Sequence, residues 1–326
     1  MIISGTPLRM SFAGGGSDIP AFYRKHGGAV LSTAIDKYIY VTVSEKFDHS
    51  LRVSYSKTEQ VESADRLRHP LVREALALLR IKGGIEITSV ADIPSRGTGL
   101  GSSSSFTVGL LHALHAYQGR HVSADELASQ ACDIEINRCK EPIGKQDQYA
   151  AAFGGLNFIR FNPDDSVCVD PIICPRGTLR RLESELLVFY TGITRSASKL
   201  LSRQGKAMSG QKSTENAMKA MVRLACDLRS EFQRNNISSF GDILHEGWLL
   251  KKSITKGISN PRIDAWYEKA GKAGARGGKL LGAGSGGFMV FHAPVERHEN
   301  IRAVLSDLRE VKFLFQPQGS RIIFVH

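Results

Sequence analysis

The segment Pro94 to Phe106, PSRGTGLGSSSSF, limits what this chain can fold into more than any other stretch. Glycines at alternate positions, Gly97, Gly99 and Gly101, leave Thr98 and Leu100 between them and remove Cβ atoms, so main-chain N–H groups can close on a small anion. Ser102, Ser103 and Ser104 then run into Phe106, Leu110, Leu111, Leu114 and Tyr117, an apolar set at helical spacing that stops at Gly119. The predicted object is a glycine-rich loop opening a helix, where free N–H groups and the positive end of the helix dipole favour phosphate. Ser102 stands after Gly101 where a Walker A loop has its lysine, which excludes that loop. A dinucleotide fingerprint is excluded as well. The loop reads GxGxG, and Ala91-Asp92-Ile93-Pro94 ends the predicted strand 85–90 before the loop begins. Taken alone, the segment is equally compatible with a Ser/Gly-rich surface turn.

At 326 residues and 42% hydrophobic, the chain can bury a full core and form two domains. No run approaches the roughly 18 apolar residues that a bilayer span needs. MIISGTPLRMSF lacks the basic segment, apolar core and cleavage site of a signal peptide. Cys132, Cys139, Cys168, Cys174 and Cys226 form no CxxC or metal-type cluster and fit reduced thiols, so the expected compartment is the cytoplasm. The formal charge of +11 is spread in local pairs such as Arg24-Lys25, Arg180-Arg181 and Lys251-Lys252, with no basic block interleaved with aromatics. That dispersal argues against a nucleic-acid or membrane partner; most of these charges read as solvated surface, with a minority lining a site for phosphates.

Near the start, strands are predicted over 8–12, 29–32 and 38–43, separated by a GGGSD turn and a helix over 20–25. Gly14, Gly15, Gly16, Ser17 and Asp18 suit close approach to a polyol, Asp18 accepting from hydroxyls; taken in isolation the stretch reads first as a tight turn capped by Asp18. A helix is predicted over 70–81. Ser123 and Glu126 form a capping box opening a helix that carries Leu127, Ala131, Ile134 and Glu135. Beyond it EPIGKQDQYAAAFGG delivers Lys145 and Asp147 between Gly144 and Gly154-Gly155. Without other information Glu135 faces solvent and 145–148 is a polar turn, although loops held by a rigid scaffold commonly carry chemistry. After the strand LLVFYTG and a basic loop over 193–199, helices are predicted over 214–232 and around Phe240, Ile243, Leu244 and Trp248. In GGKLLGAGSGGFMVF, Gly282, Gly284, Gly286 and Gly287 precede a strand over 288–291, which suits a glycine turn closing over another loop. A helix over 296–310 and strands over 311–315 and 321–325 finish a βααβ-like order, giving an α+β fold.

Three separated motifs, PLRMSFAGGGSD, PSRGTGLGSSSSF and KLLGAGSGGF, resemble in their order the GHMP small-molecule kinases, named for galactokinase, homoserine kinase, mevalonate kinase and phosphomevalonate kinase. AGGGSD, GGAVLSTAIDKYIYV and PIGKQDQYAAAFGG are most similar to the bacterial heptose 7-phosphate kinases within that family. The resemblance implies a two-domain GHMP kinase fold, with a ribosomal protein S5 domain 2-like N-terminal domain (1–180) and a ferredoxin-like C-terminal domain (181–326). It implies ATP and Mg2+ as cofactors, and transfer to the anomeric hydroxyl of a heptose 7-phosphate on the route to GDP-heptose and surface polysaccharide. A kinase for another sugar, such as L-fucose, is the alternative, and an RNA-binding protein a remote one.

Carried over by position, Gly97, Thr98, Gly99, Leu100, Gly101, Ser102, Ser103 and Ser104 are the nucleotide loop, with Ser103 and Glu135 the metal ligands. Asp147, Arg9 and Lys145 are catalytic, Asp147 accepting the substrate proton. Gly14, Gly15, Gly16, Ser17, Asp18, Arg138 and Gly284 hold the sugar. Arg24, Lys25, Lys37, Arg138, Lys140, Lys145 and Arg195 are candidates for a substrate phosphate. Two departures from the family pattern are Ser103-Ser104-Ser105-Phe106, where many members have Ser-Ala-Ala, and Ser285 in place of a glycine. Homo-oligomerisation is left open.

Overall fold

A computed structural model describes residues 1–94, 97–193, 202 and 212–326. Its backbone is β2 (Gly28–Glu45), an 18-residue strand that unites the two short strands predicted there. The two merge because a register shift lets the chain stay extended. β1 (Ile2–Ala13) pairs with β2 along its whole length, and the pairing slips between Pro7↔Tyr38 and Leu8↔Ile35, leaving Asp36 and Lys37 as the extra residues. The other edge of β2 is shared. Ile39–Glu45 pairs with β5 (Ile85–Ala91), and Gly28–Thr33 with β6 (Leu156–Phe161). β3 (Leu51–Ser54) and β4 (Thr58–Val61) extend the sheet beyond β5, and β7 (Val167–Pro171) beyond β6.

Helices α1 (Pro20–His26), α2 (Pro70–Leu78), α3 (Ser102–Tyr117), α4 (Ala124–Cys132) and α5 (Gln146–Phe153) accompany this sheet. Of the predicted capping box the N-cap half forms, Ser123 accepting from the Glu126 N–H at 3.2 Å, while the Glu126 carboxylate accepts from Gln130 at 2.9 Å. Gly119, at φ +70°, ends α3 as expected.

A second sheet has the order β11-β8-β10-β9, built from β8 (Leu186–Tyr190), β9 (Gly277–Leu280), β10 (Phe288–His292) and the two-residue β11 (Arg309–Glu310). It is preceded by α6 (Arg176–Ser184) and accompanied by α7 (Lys212–Gln233), α8 (Phe240–Ile254), α9 (Pro261–Lys272) and α10 (His298–Val304). Met218, Met221, Leu228 and Phe232 of α7 are buried on one face of the helix predicted over 214–232. The basic loop predicted over 193–199, with Arg195, lies outside the described residues apart from Ile193.

The C-terminal end departs from expectation in three ways. The helix predicted over 296–310 is a 3-10 turn (Val295–Arg297) followed by α10, which stops at Val304. No strand forms over 311–315; Phe315 makes only an isolated bridge to Ile35, and Leu314 exchanges hydrogen bonds with Asp36 at the β2 bulge. β12 (Arg321–Val325), expected in the C-terminal block, instead pairs with Ile2–Gly5 at the free edge of β1. Strand pairing at an open edge depends on what the distant partner leaves unpaired, which local pattern does not record. The two halves share core as well. Phe12 of β1 meets Phe240 of α8 edge to face with centroids 5.1 Å apart, and Lys279 on β9 donates to the carbonyls of Ser11 and Phe12 at 2.9 and 3.0 Å.

Candidate active site

The glycine loop runs into α3 as predicted, and its glycines are required by conformation. Gly97, Gly99 and Gly101 have φ of +68°, +77° and +77°, a region where a Cβ is strained. Gly101 is the N-cap and offers no side-chain acceptor, so the first N–H groups of α3 have no capping partner. The third glycine motif closes over this loop. A Cβ on Gly282 would lie 2.3 Å from Gly99 Cα, one on Gly99 2.3 Å from the Leu281 carbonyl oxygen, and one on Gly287 2.3 Å from the Thr98 carbonyl oxygen. Gly284 (φ +118°) belongs to the same turn, and so does Ser285, a non-glycine residue at φ +68°. Ser285 is held there by its N–H on the Ile258 carbonyl, 2.8 Å, and its hydroxyl on the Gly257 carbonyl.

Arg9 ties the loop to a carboxylate. Its guanidinium donates to both oxygens of Asp147 at 2.8 Å, and Nη1 donates to the Gly99 carbonyl at 2.7 Å. The Arg9 N–H donates to the Leu100 carbonyl at 3.1 Å. The pair is bidentate, which fixes the carboxylate in orientation as well as position. Asp147 stands beside the N-cap of α3: a Cβ on Gly101 would be 3.4 Å from Asp147 Oδ2.

Asp18 joins the same constellation from the GGGSD turn. It accepts from the N–H groups of Gly16 and Gln146 at 3.0 and 3.1 Å and so caps α5, the helix that carries Asp147. Gly144 makes room for it, since a Cβ there would be 1.9 Å from Asp18 Oδ2. Burial, and then the neighbouring Asp147, push the Asp18 carboxyl above its usual range.

Glu135 is not solvent-facing. After α4 the chain widens into a π-helical turn, Asp133–Arg138, which turns Glu135 inward to 1% exposure. Such turns recur at functional sites. Ser103 and Ser104 of α3 donate to its two oxygens at 2.9 and 2.7 Å, and Gln148 of α5 donates to Oε2. These partners are all neutral. Burial pushes the carboxyl up to about 7 against the three hydrogen bonds. One carboxylate lacking a cationic partner, joined to the hydroxyl of the exposed Ser103, is a donor set that fits Mg2+ when phosphate oxygens and water complete the shell. Among the described residues no group of three or more His, Cys, Asp and Glu is placed to hold a metal.

With this geometry in view, the likeness to known proteins is specific. The family description "GHMP kinases N terminal domain" matches residues 70–155, and "GHMP kinases C terminal" matches 228–312. The chain is 31% identical over 328 residues to the D-glycero-alpha-D-manno-heptose 7-phosphate kinase of Campylobacter jejuni, covering 96% of each protein. It belongs to the GHMP kinases. Another relative is the L-fucokinase/L-fucose-1-P guanylyltransferase of Bacteroides fragilis, 26% identical over 87% of this chain and 34% of that protein. Among solved structures, a D-glycero-D-manno-heptose 1-phosphate kinase from Bacteroides thetaiotaomicron superposes with a TM-score of 0.81 at 26% identity, covering 100% of both chains.

Within this GHMP kinase, the structure brings together Arg9, Asp147, Asp18, Ser103, Glu135 and the 97–104 loop, and it directs two expected residues elsewhere. Lys145 Nζ donates to the Asp165 carbonyl at 2.8 Å and lies over the Tyr23 ring at 5.0 Å; Arg138 donates to Asp133 at 2.7 Å within its own helical turn. Both are drawn by nearer acceptors than the reacting groups. Arg24 also pairs with Asp165, at 3.0 Å, and Lys37 with Asp36, at 3.1 Å.

In the GGGSD turn, Gly14 and Ser17 serve the fold. A Cβ on Gly14 would be 1.9 Å from the Ala29 carbonyl oxygen, and the Ser17 hydroxyl closes onto the Ala29 main chain at 3.0 and 3.1 Å. Two buried lysines of the C-terminal half escape a sequence reading, Lys251 on α8 and Lys279 on β9, 5% exposed each. Lysine almost always marks surface. The one available signal is that Lys251 falls on the apolar stripe of α8, at i+3 from Trp248.

Proposed function

We propose that the protein is an ATP- and Mg2+-dependent sugar kinase that phosphorylates the anomeric hydroxyl of D-glycero-D-manno-heptose 7-phosphate. The product is the 1,7-bisphosphate, which serves GDP-heptose and surface polysaccharide synthesis. The observation that carries the reading is the Arg9–Asp147 pair abutting the uncapped N-terminus of α3, with Asp18 joined to it through Gln146. Phosphoryl transfer needs positioning and charge neutralisation more than covalent catalysis.

The α3 amides and the 97–101 turn hold phosphate oxygens, and Ser103 with Glu135 hold Mg2+. The bound ion supplies neutralisation of phosphate charge. Arg9 holds Asp147 so that one carboxylate oxygen orients the acceptor hydroxyl and takes its proton. An ordinary carboxylate, with a pKa near 4, is a weak base for an alcohol. An anomeric hydroxyl is more acidic than other sugar hydroxyls, which eases the transfer. Asp18 accepts from further hydroxyls of the sugar. Arg24 and Lys145, which meet at Asp165 beside α1 and the turn into α5, are the cations offered to the substrate's existing phosphate.

The two heptose kinases named above differ in which phosphate their acceptor carries, so the position of the new phosphate is the test. Incubation with ATP, Mg2+ and a panel of free and phosphorylated sugars, read by 31P NMR, is expected to give a C1 phosphate on heptose 7-phosphate. Turnover of free sugar alone would replace the substrate with an L-fucose-like one. A new phosphate at another carbon would overturn the anomeric assignment.

A further inference from the structure

Of the glycines in the GGGSD turn, Gly15 is the one the backbone does not demand. Gly14 and Gly16 have φ of +80° and +103°, whereas Gly15 is outside the left-handed region. A Cβ on Gly15 would strike no main-chain atom. It would point at Ser11 Oγ, Gln146 Nε2 and Lys251 Nζ, at 3.4, 3.8 and 3.9 Å, all ordinary contact distances. Three hydrogen-bond donors therefore converge on the place a methyl group would fill.

Ser11 is 4% exposed and its hydroxyl has no partner among the described residues. Gln146 Nε2 donates to Asp18 Oδ1 at 3.4 Å, while its other amide atom, the acceptor Oε1, has no partner among them. Lys251, on α8, carries three N–H donors and among the described residues gives one hydrogen bond, to the Gly282 carbonyl at 3.0 Å. A buried ammonium left short of acceptors is costly unless something arrives to meet it. Its neighbour Lys279, equally buried, spends its ammonium on the Ser11 and Phe12 carbonyls and so fixes the end of β1 where Ser11 sits. The charged groups facing Lys251 are Asp18, Asp147 and Arg9 from the N-terminal half and Lys279 from its own half.

We propose that Lys251, Ser11 and Gln146 form a subsite that takes one hydroxyl oxygen of the acceptor sugar against the side-chain-free face of Gly15. The sugar is then gripped from both halves of the chain, and Gly15 is glycine for the ligand's sake. The hydroxyl accepts from the ammonium and donates to Gln146 Oε1, the one acceptor of the three side chains left without a partner among the described residues. A phosphate oxygen could use only the donors. This rests on the reading that the acceptor lies on the GGGSD turn.

The test is steady-state kinetics of Gly15→Ala, Lys251→Met and Lys251→Arg on whichever sugar the wild type turns over, with ATP and acceptor varied separately and melting temperatures recorded. The expected result is an acceptor KM about 10- to 100-fold higher in Gly15→Ala and Lys251→Met, with partial rescue in Lys251→Arg and the KM for ATP and the melting temperature of Gly15→Ala unchanged. An unchanged acceptor KM in folded Gly15→Ala overturns the subsite while leaving the kinase reading intact. A shift confined to sugar phosphates, absent for free sugars, overturns it in favour of a phosphate site. Wild type that turns over no sugar at all removes the kinase reading and the subsite with it.

Discussion

Replacing Asp147 by Asn tests the transfer chemistry with the least disturbance to shape. The amide keeps one acceptor for Arg9 and turns an NH2 toward a guanidinium that is 3% exposed, so one of two charge-assisted hydrogen bonds is lost and a donor faces a donor. Such bonds contribute about 1.5–3 kcal/mol each when buried. The Asp147 side chain is 25% exposed, so the lower end applies and the fold survives. Losing the group that orients the hydroxyl and takes its proton costs about 10²- to 10⁴-fold in kcat, or about 3–5 kcal/mol of barrier. The assay is coupled ADP release with ATP and acceptor varied separately, alongside calorimetric melting. A fall in kcat with the ATP KM preserved is the expected pattern, because the α3 amides and Glu135 are untouched. A folded variant whose kcat stays within about threefold of wild type would remove Asp147 from the mechanism.

Other substitutions address the remaining parts of the site. Gly99→Ala sets a Cβ 2.3 Å from the Leu281 carbonyl oxygen at φ +77°, so it should cost about 1–3 kcal/mol of stability and weaken ATP-analogue binding, both read by calorimetry. Glu135→Gln keeps hydrogen-bonding capacity toward Ser103 and Ser104 but removes the charge; the Mg2+ concentration for half-maximal rate should rise about 10- to 100-fold, measured at fixed ATP. Burial depresses Lys251 to about 8 from 10.5, so between those values the unfolded chain binds more protons and stability rises with pH by about 3 kcal/mol from this group. Below pH 8 that penalty is present in full, and Lys251→Met should be the more stable protein there and lose the rise, as urea unfolding at about pH 7 and about pH 10 would show.

What was legible in the sequence is what depends on local geometry. Alternating glycines before an apolar period of 3.6 predict the loop and α3, and glycines before a strand predict the turn that closes over it, because both follow from φ and from space for a Cβ. Asp18, Arg9, Asp147, Ser103 and Glu135 were reachable through motif order, and the structure brings all five to one place. What escaped depends on distant partners. β12 returns to β1 because that edge is open, the 296–310 helix stops at Val304 where the chain turns to lay β11 against β8, and Lys145 follows Asp165, twenty residues away. The π-helical turn has no pattern of its own, since one extra residue per turn leaves the apolar spacing of α4 intact up to Ile134. Lys251 and Lys279 are read as surface by composition; the stripe position of Lys251 is the single sequence hint, and the fold shows that both are walled in.

The central claim is that the opening turn of α3 presents a terminal phosphate to a hydroxyl held by Asp147. A crystal structure with a non-hydrolysable ATP analogue, Mg2+ and the acceptor tests it most directly. The account predicts the γ-phosphate on the amides of 102–104, Mg2+ between it and Ser103 with Glu135, and the acceptor hydroxyl about 2.6–3.2 Å from an Asp147 oxygen. A γ-phosphate bound away from α3, with Asp147 and Asp18 out of reach of the sugar, would contradict it.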